Sequence, residues 1–343
     1  SSALDHNNFE WRSWNGRSPE VTPMTSRIPV LLVLSTVSLL AQRVSGPVVG
    51  YVSSGATLQP VLGVRGAAIL GDAIPVDASL TMLAVSPSQE YFLTSSADSG
   101  ELSLTSTETG ESRSVKGAMA GAGRAVMSPN GAAALLGANA RVQVVTGLPD
   151  APVAGPSTDV SSIGAISALA LSDDGSLALL AAGEGSDAAL YSVSADAGLR
   201  WLGPLGQDVR LAFSNRGRSA VIGGVSSNEM WVLGDVSGDF APRRIAGPEN
   251  GVAGLVGVAF SDDNRRVIAA HSGGVTRVQL DDSSTDVAAC ACTPTTLLKV
   301  RGDSAFRLTE TGAGPMWIVD GGSPTAHVWF VPPKAPAADG GNE

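Results

Sequence analysis

The segment Ala168–Ala182, ALALSDDGSLALLAA, places an almost wholly apolar run on each side of a four-residue polar sequence, Ser172–Gly175. Serine and aspartate side chains hydrogen-bond the local backbone and glycine accepts a positive φ, so this polar sequence is typical of a tight turn. The flanking runs are apolar at nearly every position, which indicates strands that are buried on both faces. The segment therefore predicts an antiparallel hairpin inside a layered β-structure.

The hairpin pattern recurs along the chain. Further copies begin at five positions: Met82 (MLAVSPSQEYFLTSS), Arg124 (RAVMSPNGAAALLGA), Arg210 (RLAFSNRGRSAVIGG), Gly257 (GVAFSDDNRRVIAAH) and Ala305 (AFRLTETGAGPMWIV). The aligned serines, with Thr309 in the last copy, stand at 86, 128, 172, 214, 261 and 309, which gives spacings of 42, 44, 42, 47 and 48 residues. A repeat of ~40–50 residues is typical of propeller blades. We therefore expect an all-β fold, a single β-propeller of six four-stranded blades.

The ends of the repeat array predict how the ring closes. After the last hairpin only one more strand-like run follows, HVWFV from His327, and near the start Val48–Val64 is strand-like without a hairpin of its own. An unpaired sheet edge is a liability, and closing the ring removes it. We expect Val48–Val64 to form the outer strand of the last blade. The spacing also leaves open a seventh blade, built partly from residues 48–80.

The repeats resemble those of a known group of proteins. AFSDDN at Ala259–Asn264 and VMSPNG at Val126–Gly131 are similar to the turn of the bacterial propeller repeats of the TolB, YVTN and WD-repeat families. The resemblance covers about residues 48–331 and implies a bacterial propeller. It carries almost no information about activity.

The amino-terminal segment has the pattern of an export signal. Residues 1–23 show no apolar periodicity and are interpreted as a leader outside the fold; residues 24–46 then combine Arg27, an apolar run from Ile28 to Leu40, and small polar residues. The run is shorter than the ~20 residues of a spanning helix, which favours a cleaved signal peptide over the alternative, a membrane anchor. We expect a secreted or periplasmic propeller over residues 47–331, with no membrane span after cleavage and a disordered tail at 332–343.

Charge and cysteine content restrict the partners and the chemistry. The chain has 22 basic and 32 acidic side chains, a net charge of −10, which opposes binding to nucleic acid or anionic lipid. We expect a monomer. Its two cysteines, Cys290 and Cys292, share one face of a strand and are interpreted as structural, with a strained redox pair or a metal contact as alternatives.

The sequence gives no catalytic or metal-binding assignment. His271 and His327 fall in or beside strands, and the paired aspartates at 173–174, 262–263 and 281–282 fit ordinary turns. Propellers commonly bind at the mouth of the central channel, where loops enter the innermost strands. Six polar residues in or near such loops are the predicted binding site: Arg65, Arg124, Asp208, Arg210, Glu249 and Asn250.

Two functions remain open from the sequence. The first is a binding or scaffold propeller outside the cytoplasm, which recognises a protein, peptide or glycan through its loop face and needs no cofactor. The alternative is a propeller hydrolase, similar to a lactonase, with a metal ion such as calcium in the central channel. The first agrees better with the absence of G-x-S-x-G and H-E-x-x-H sequences.

Overall fold

The structure is a computed structural model that describes residues 46–54, 57–301, 304–312 and 314–333. All of these residues belong to one compact unit, 45–343. The predicted leader, the predicted signal peptide up to residue 45, and the predicted tail from residue 334 lie outside the described residues.

The described residues form seven four-stranded antiparallel sheets, which are the blades of a propeller. Blade 1 contains β1 (Val48–Ser54), β2 (Thr57–Val64), β3 (Ala67–Leu70) and β4 (Ile74–Pro75). Blade 2 contains β5 (Leu80–Val85), β6 (Tyr91–Ser96), β7 (Leu102–Ser106) and β8 (Ser112–Ser114). Blade 3 contains β9 (Arg124–Met127), β10 (Ala133–Ala138), β11 (Arg141–Thr146) and β12 (Val153–Asp159).

The remaining blades follow in chain order. Blade 4 contains β13 (Ile166–Leu171), β14 (Leu177–Ala182), β15 (Ala189–Ser194) and β16 (Gly198–Pro204); blade 5 contains β17 (Val209–Phe213), β18 (Ala220–Gly224), β19 (Met230–Leu233) and β20 (Arg243–Ala246). Blade 6 contains β21 (Leu255–Phe260), β22 (Arg266–His271), β23 (Gly274–Gln279) and β24 (Thr285–Ala289); blade 7 contains β25 (Leu298–Lys299), β26 (Ala305–Arg307), β27 (Met316–Asp320) and β28 (His327–Val331). Three 3-10 helices lie between strands, at Ser161–Ile163, Gly185–Asp187 and Pro248–Asn250.

In blades 2 to 7 the first strand lies innermost, and the next three follow outward in chain order. We call the side that carries the turns between first and second strands the turn face. The opposite side, the loop face, carries the turns between second and third strands and the connections from one blade to the next. The chain therefore enters every innermost strand of blades 2 to 7 from the loop face.

The hairpin predicted from Ala168–Ala182 is present as β13 and β14. Ser172 N donates to Leu177 O at 2.8 Å, and Gly175 has a φ of +70°, the left-handed region that glycine tolerates. All six residues of β14 are buried, because blades 3 and 5 cover the two faces of this sheet. Burial on both faces explains why the run is apolar at consecutive positions.

The six-blade count is wrong, and the seventh blade that the spacing left open is present as blade 1. The last repeat had been aligned one strand too far along the chain. Val300 N donates to Ala305 O at 2.9 Å, the same bond that Ser261 N makes with Arg266 O, so Val300 and not Thr309 is the equivalent of the repeated serine. Strand β25 has only two residues and follows a polar stretch of sequence, so the hairpin pattern does not reveal it.

Blade 1 runs in the opposite direction from the other blades. Tyr51 N, near the start of β1, donates to Gln89 Oε1 of the blade 2 turn (2.6 Å), whereas Ser53 O, further along, accepts from Arg307 Nη1 (3.1 Å). Thus β1 begins at the turn face and runs towards the loop face. Because β3 and β4 lie end to end against β2, this sheet is three strands wide.

The ring closes by packing of blade 1 against blade 7. Val52, Val61 and Leu70 form one buried cluster with Met316 and Ile318. The prediction that Val48–Val64 supplies the outer strand of the last blade is therefore wrong. That position is already filled by β28, which the sequence had suggested as a third strand.

Candidate functional site

On the turn face, the polar side chains of the repeats bind neighbouring blades. The carboxylate of Asp173 is 6% exposed and accepts from Asn130 N (2.6 Å) and Arg216 N (2.9 Å), so it joins the turns of blades 3, 4 and 5. Asn264 exchanges two hydrogen bonds with the backbone of Asn215, at 2.8 and 2.6 Å, and joins blades 5 and 6. These side chains hold the ring together.

The same pattern continues to the closure. Asp262 accepts from Ser304 N at 3.0 Å and pairs with the ammonium group of Lys299, which joins blades 6 and 7. Gln89 Nε2 donates to Lys299 O at 3.3 Å, and the Gln89 side chain also binds Tyr51, so one residue connects blades 7, 1 and 2. The paired aspartates at 173 and 262 thus have partners within the fold, as expected for turn residues.

At the loop face, two of the predicted site residues have equivalent positions. Arg124 Nη1 donates to Ile166 O of the next inner strand at 2.6 Å, and Arg210 Nε donates to Val256 O of the next inner strand at 3.0 Å. Both guanidinium groups lie at the mouth of the channel. Arg124 connects blade 3 to blade 4, and Arg210 connects blade 5 to blade 6. Each uses only part of its five N–H groups in these bonds.

The other predicted site residues are not brought together at one point. Asp208 is exposed and precedes β17, while Glu249 pairs with Arg244 at 2.8 Å and Asn250 Oδ1 accepts from Gly247 N at 3.1 Å. These three lie in connections on the loop face. Arg65 lies on the turn face, where it pairs with Asp320 at 3.1 Å, because β2 runs in the opposite direction to the one that the sequence suggested.

The central channel holds a cavity of about 330 Å³ beside blade 1. Its wall is formed by Tyr51–Ser53 and by the inner strands β5, β9 and β25, with Gln89, Lys299 and Arg307 among its polar groups. Most of its lining side chains are apolar. Tyr51, Gln89 and Lys299, which connect blades 7, 1 and 2, border this cavity.

A second concave feature, which we call the blade 3 groove, was missed by the sequence analysis. It consists of two adjoining cavities of about 420 and 360 Å³ on the loop face, which share Ala138, Asn139 and Arg141. Arg124 lies at its inner end and Ser157, in the outermost strand, at its outer end. The glycines of Gly117–Gly123 leave this space open, but from sequence they were indistinguishable from ordinary loop glycines.

The remaining titratable candidates have structural roles. His271 is fully buried, with Gly273 N donating to its Nδ1 at 3.2 Å and Thr276 Oγ1 lying 2.9 Å from its Nε2. Burial lowers the pKa of this imidazole below its ordinary value. Cys290 and Cys292 form a disulfide in the connection between blades 6 and 7. In the part of the chain that the structure describes, no three His, Cys, Asp or Glu side chains group as a metal site would require.

No family model matches the sequence, and no curated protein is similar to it in sequence. Among solved structures, a chain in the crystal structure of the mitotic checkpoint complex aligns with a TM-score of 0.54 and 12% identity, over 76% of this chain and 80% of that one. A functionally unknown protein from Desulfotomaculum acetoxidans DSM 771 aligns with a TM-score of 0.54 and 11% identity, over 83% of this chain and 99% of that one. At these identities the similarity shows the fold alone, a β-propeller. The closer assignment to bacterial TolB or YVTN repeats stays a prediction.

Proposed function

We propose that this protein is a non-catalytic binding propeller that acts outside the cytoplasm and holds a protein or peptide partner on its loop face. The observation that carries the proposal is the contrast between the two faces. On the turn face, Asp173, Asn264 and Gln89 are engaged in bonds between blades. On the loop face, Arg124 keeps further N–H donors beside its one bond to Ile166 O, and the blade 3 groove adds open space for a ligand.

The fold is compatible with this role. Propellers often serve as scaffolds for protein binding, and one of the structurally similar chains was solved within the mitotic checkpoint complex. Concave surfaces with a few converging polar groups are the usual form of a binding site. No specific feature of the described residues favours the hydrolase alternative.

Export is proposed on two grounds. Arg27 and the apolar run Ile28–Leu40 form a secretory pattern in the sequence. The disulfide between Cys290 and Cys292 suits an oxidising compartment. Among the described residues, no helix has the length and apolar character needed to cross a membrane.

The export proposal is tested by mass spectrometry of the natively expressed protein. We expect no peptide from residues 24–40 in the mature protein, because a signal peptidase removes them. Recovery of that segment from the mature protein would contradict export by cleavage.

The loop-face proposal is tested by site-specific photo-crosslinking. Among the described glycines, Gly312 and Gly314 on the loop face and Gly234 on the turn face have no atom within 4 Å of an added Cβ and no positive φ. A photoreactive phenylalanine is placed at each of these three positions, all of which lie outside the blade 3 groove. The three variants are incubated with envelope extract and culture medium of the source organism and irradiated. We expect the same partner to be captured at one or both loop-face positions and not at Gly234. Capture only at Gly234, or at none of the three, would overturn the proposal.

A further inference from the structure

The blade 3 groove crosses the whole loop face of one blade. Arg124 is the first residue of the innermost strand β9, Arg141 is the first residue of the third strand β11, and Ser157 lies in the outermost strand β12. The groove therefore runs radially from the channel mouth to the outer rim. Such a shape fits an extended segment of chain better than a compact small molecule.

Small residues form the walls and the floor. Gly121 and Gly123 line one side, and Gly164 and Ala165 line the other. The floor is the turn between β10 and β11, where Asn139 and Ala140 have φ values of 45° and 61°. Non-glycine residues adopt this left-handed conformation at a cost, so the floor has a fixed shape that the rest of the blade maintains.

The charge of the groove is opposite to that of the protein. Arg124 and Arg141 line it, and no Asp or Glu does. Neither arginine lies within 4 Å of a carboxylate among the described residues. In a chain with ten more acidic than basic side chains, this is a local positive site.

Both arginines keep donors for a ligand. Arg124 uses Nη1 on Ile166 O, and Arg141 uses Nη2 on Ser157 Oγ. Asp159, opposite Arg141 in the β11–β12 ladder, accepts from Ser161 N at 2.8 Å and makes no ion pair with the guanidinium group. Its bonds to Ser161 and, to a lesser extent, the charge of Arg141 lower its pKa. A guanidinium group carries five N–H donors arranged to match a carboxylate, so each arginine can still bind one.

We propose that the blade 3 groove binds an extended acidic segment of a protein partner, with carboxylates on Arg124 and Arg141 and apolar side chains against Met119 and Ile166. The inference rests on the proposed function, since it names the chemistry of the partner on the loop face. Opposite charge in the groove orients the segment and speeds its association, and the apolar contacts add affinity.

The test measures fluorescence anisotropy of fluorescein-labelled octaglutamate with the full-length protein at low salt. Octalysine and an eight-residue Gly-Ser peptide serve as control probes. We expect octaglutamate alone to bind, and the double variant Arg124→Gln/Arg141→Gln to bind it at least tenfold more weakly. The matched control Arg218→Gln/Arg265→Gln removes the same charge from exposed positions on the turn face and should leave the affinity unchanged.

A second pair of variants tests the groove without changing charge. Gly123→Trp fills the groove, and Gly234→Trp places the same side chain in open space on the turn face. We expect Gly123→Trp to abolish octaglutamate binding and Gly234→Trp to preserve it. A folded Gly123→Trp protein, shown by an unchanged melting temperature, excludes misfolding as the cause.

Three results would overturn the inference. The first is equal octaglutamate affinity in the wild type and the Arg124/Arg141 double variant, and the second is no binding by the wild type. The third is displacement of the probe by free glutamate or by octathymidylate as effectively as by unlabelled octaglutamate, which would indicate a small-anion site or general attraction of polyanions. If any of these results is found while a partner is still crosslinked at Gly312, the proposal of an acidic segment is wrong but the proposal of binding on the loop face stands.

Discussion

In blades 2, 3, 4 and 6 the repeated serine stabilises the turn through its hydroxyl group. Ser172 is buried, its Oγ accepts from Leu177 N at 3.0 Å, and it donates to Asp174 Oδ1 at 2.7 Å. Ser128 and Ser261 make the same two kinds of bond. In blade 5 the residue two positions after the serine is Arg216, which offers no acceptor, and Ser214 Oγ has no partner among the described residues.

This difference predicts unequal costs for one substitution. Ser172→Ala leaves the Leu177 N–H without its side-chain acceptor and should lower the free energy of unfolding by ~1–3 kcal/mol. Ser214→Ala removes an unpaired buried hydroxyl and should be neutral or stabilising. Urea unfolding at pH 7 measures both. Equal losses in the two variants would show that the hydroxyl bonds do not stabilise the turns.

His271 makes stability depend on pH. Its pKa is lowered by burial, so the unfolded chain takes up the proton first as the pH falls. The contribution of the neutral imidazole is therefore complete above about pH 6.5, the ordinary value, and is lost as the pH falls below it. His271→Gln should flatten the decline in unfolding free energy between pH 7.5 and 5.5. The exposed control His327→Gln should keep the wild-type decline, and an unchanged decline in His271→Gln would contradict this assignment.

At the level of strands, blade 1 supplies the last interface of the ring. Val61 of β2 is fully buried against blade 7, whereas Val64 of the same strand is 58% exposed. Valine-to-alanine substitution at both sites therefore separates the contribution of ring closure from the effect of losing two methyl groups within β2. Val61→Ala should lower the free energy of unfolding by about 2 kcal/mol, and Val64→Ala should have almost no effect.

The measurement is urea unfolding, with hydrogen exchange of residues 48–64 as a second readout. Val61→Ala should speed exchange in that segment because it weakens the packing of blade 1 on blade 7. Exchange as slow as in the wild type, or equal destabilisation by both alanines, would mean that the ring is closed by other contacts.

Strands with a turn signal could be predicted from the sequence, and those without one could not. β13 and β14 were recognised because continuous apolar runs flank Ser172–Gly175. β25 has two residues and a valine at the serine position, so it carried no signal. The direction of β1 depends on which contacts Tyr51 and Ser53 make in three dimensions, and no local pattern records it.

The candidate site could also be predicted only in part from the sequence. Arg124 and Arg210 share a repeat position, and the structure places both at the channel mouth. Arg65 was assigned to the wrong face because β2, which it follows, runs towards the turn face. Arg141 was not recognised, since it joins Arg124 only through the turn at Asn139 and Ala140, whose left-handed backbone the sequence does not indicate.

For the whole molecule, the two faces have different tasks. Side chains on the turn face bind mainly backbone atoms of neighbouring blades and hold the ring together, with Gln89 connecting the two ends. Connections on the loop face leave open space that a ligand can enter, as in the blade 3 groove. Stability and recognition can then change independently, because few residues serve both.

Hydrogen exchange with and without saturating octaglutamate tests this division most directly, because one experiment reports on both faces. The account predicts slower exchange in residues 117–124, 138–143 and 157–166, which surround the blade 3 groove, and no change in the turns at 86–90, 172–176 and 261–265. Protection centred on those turns, or the same protection of both faces, would contradict it.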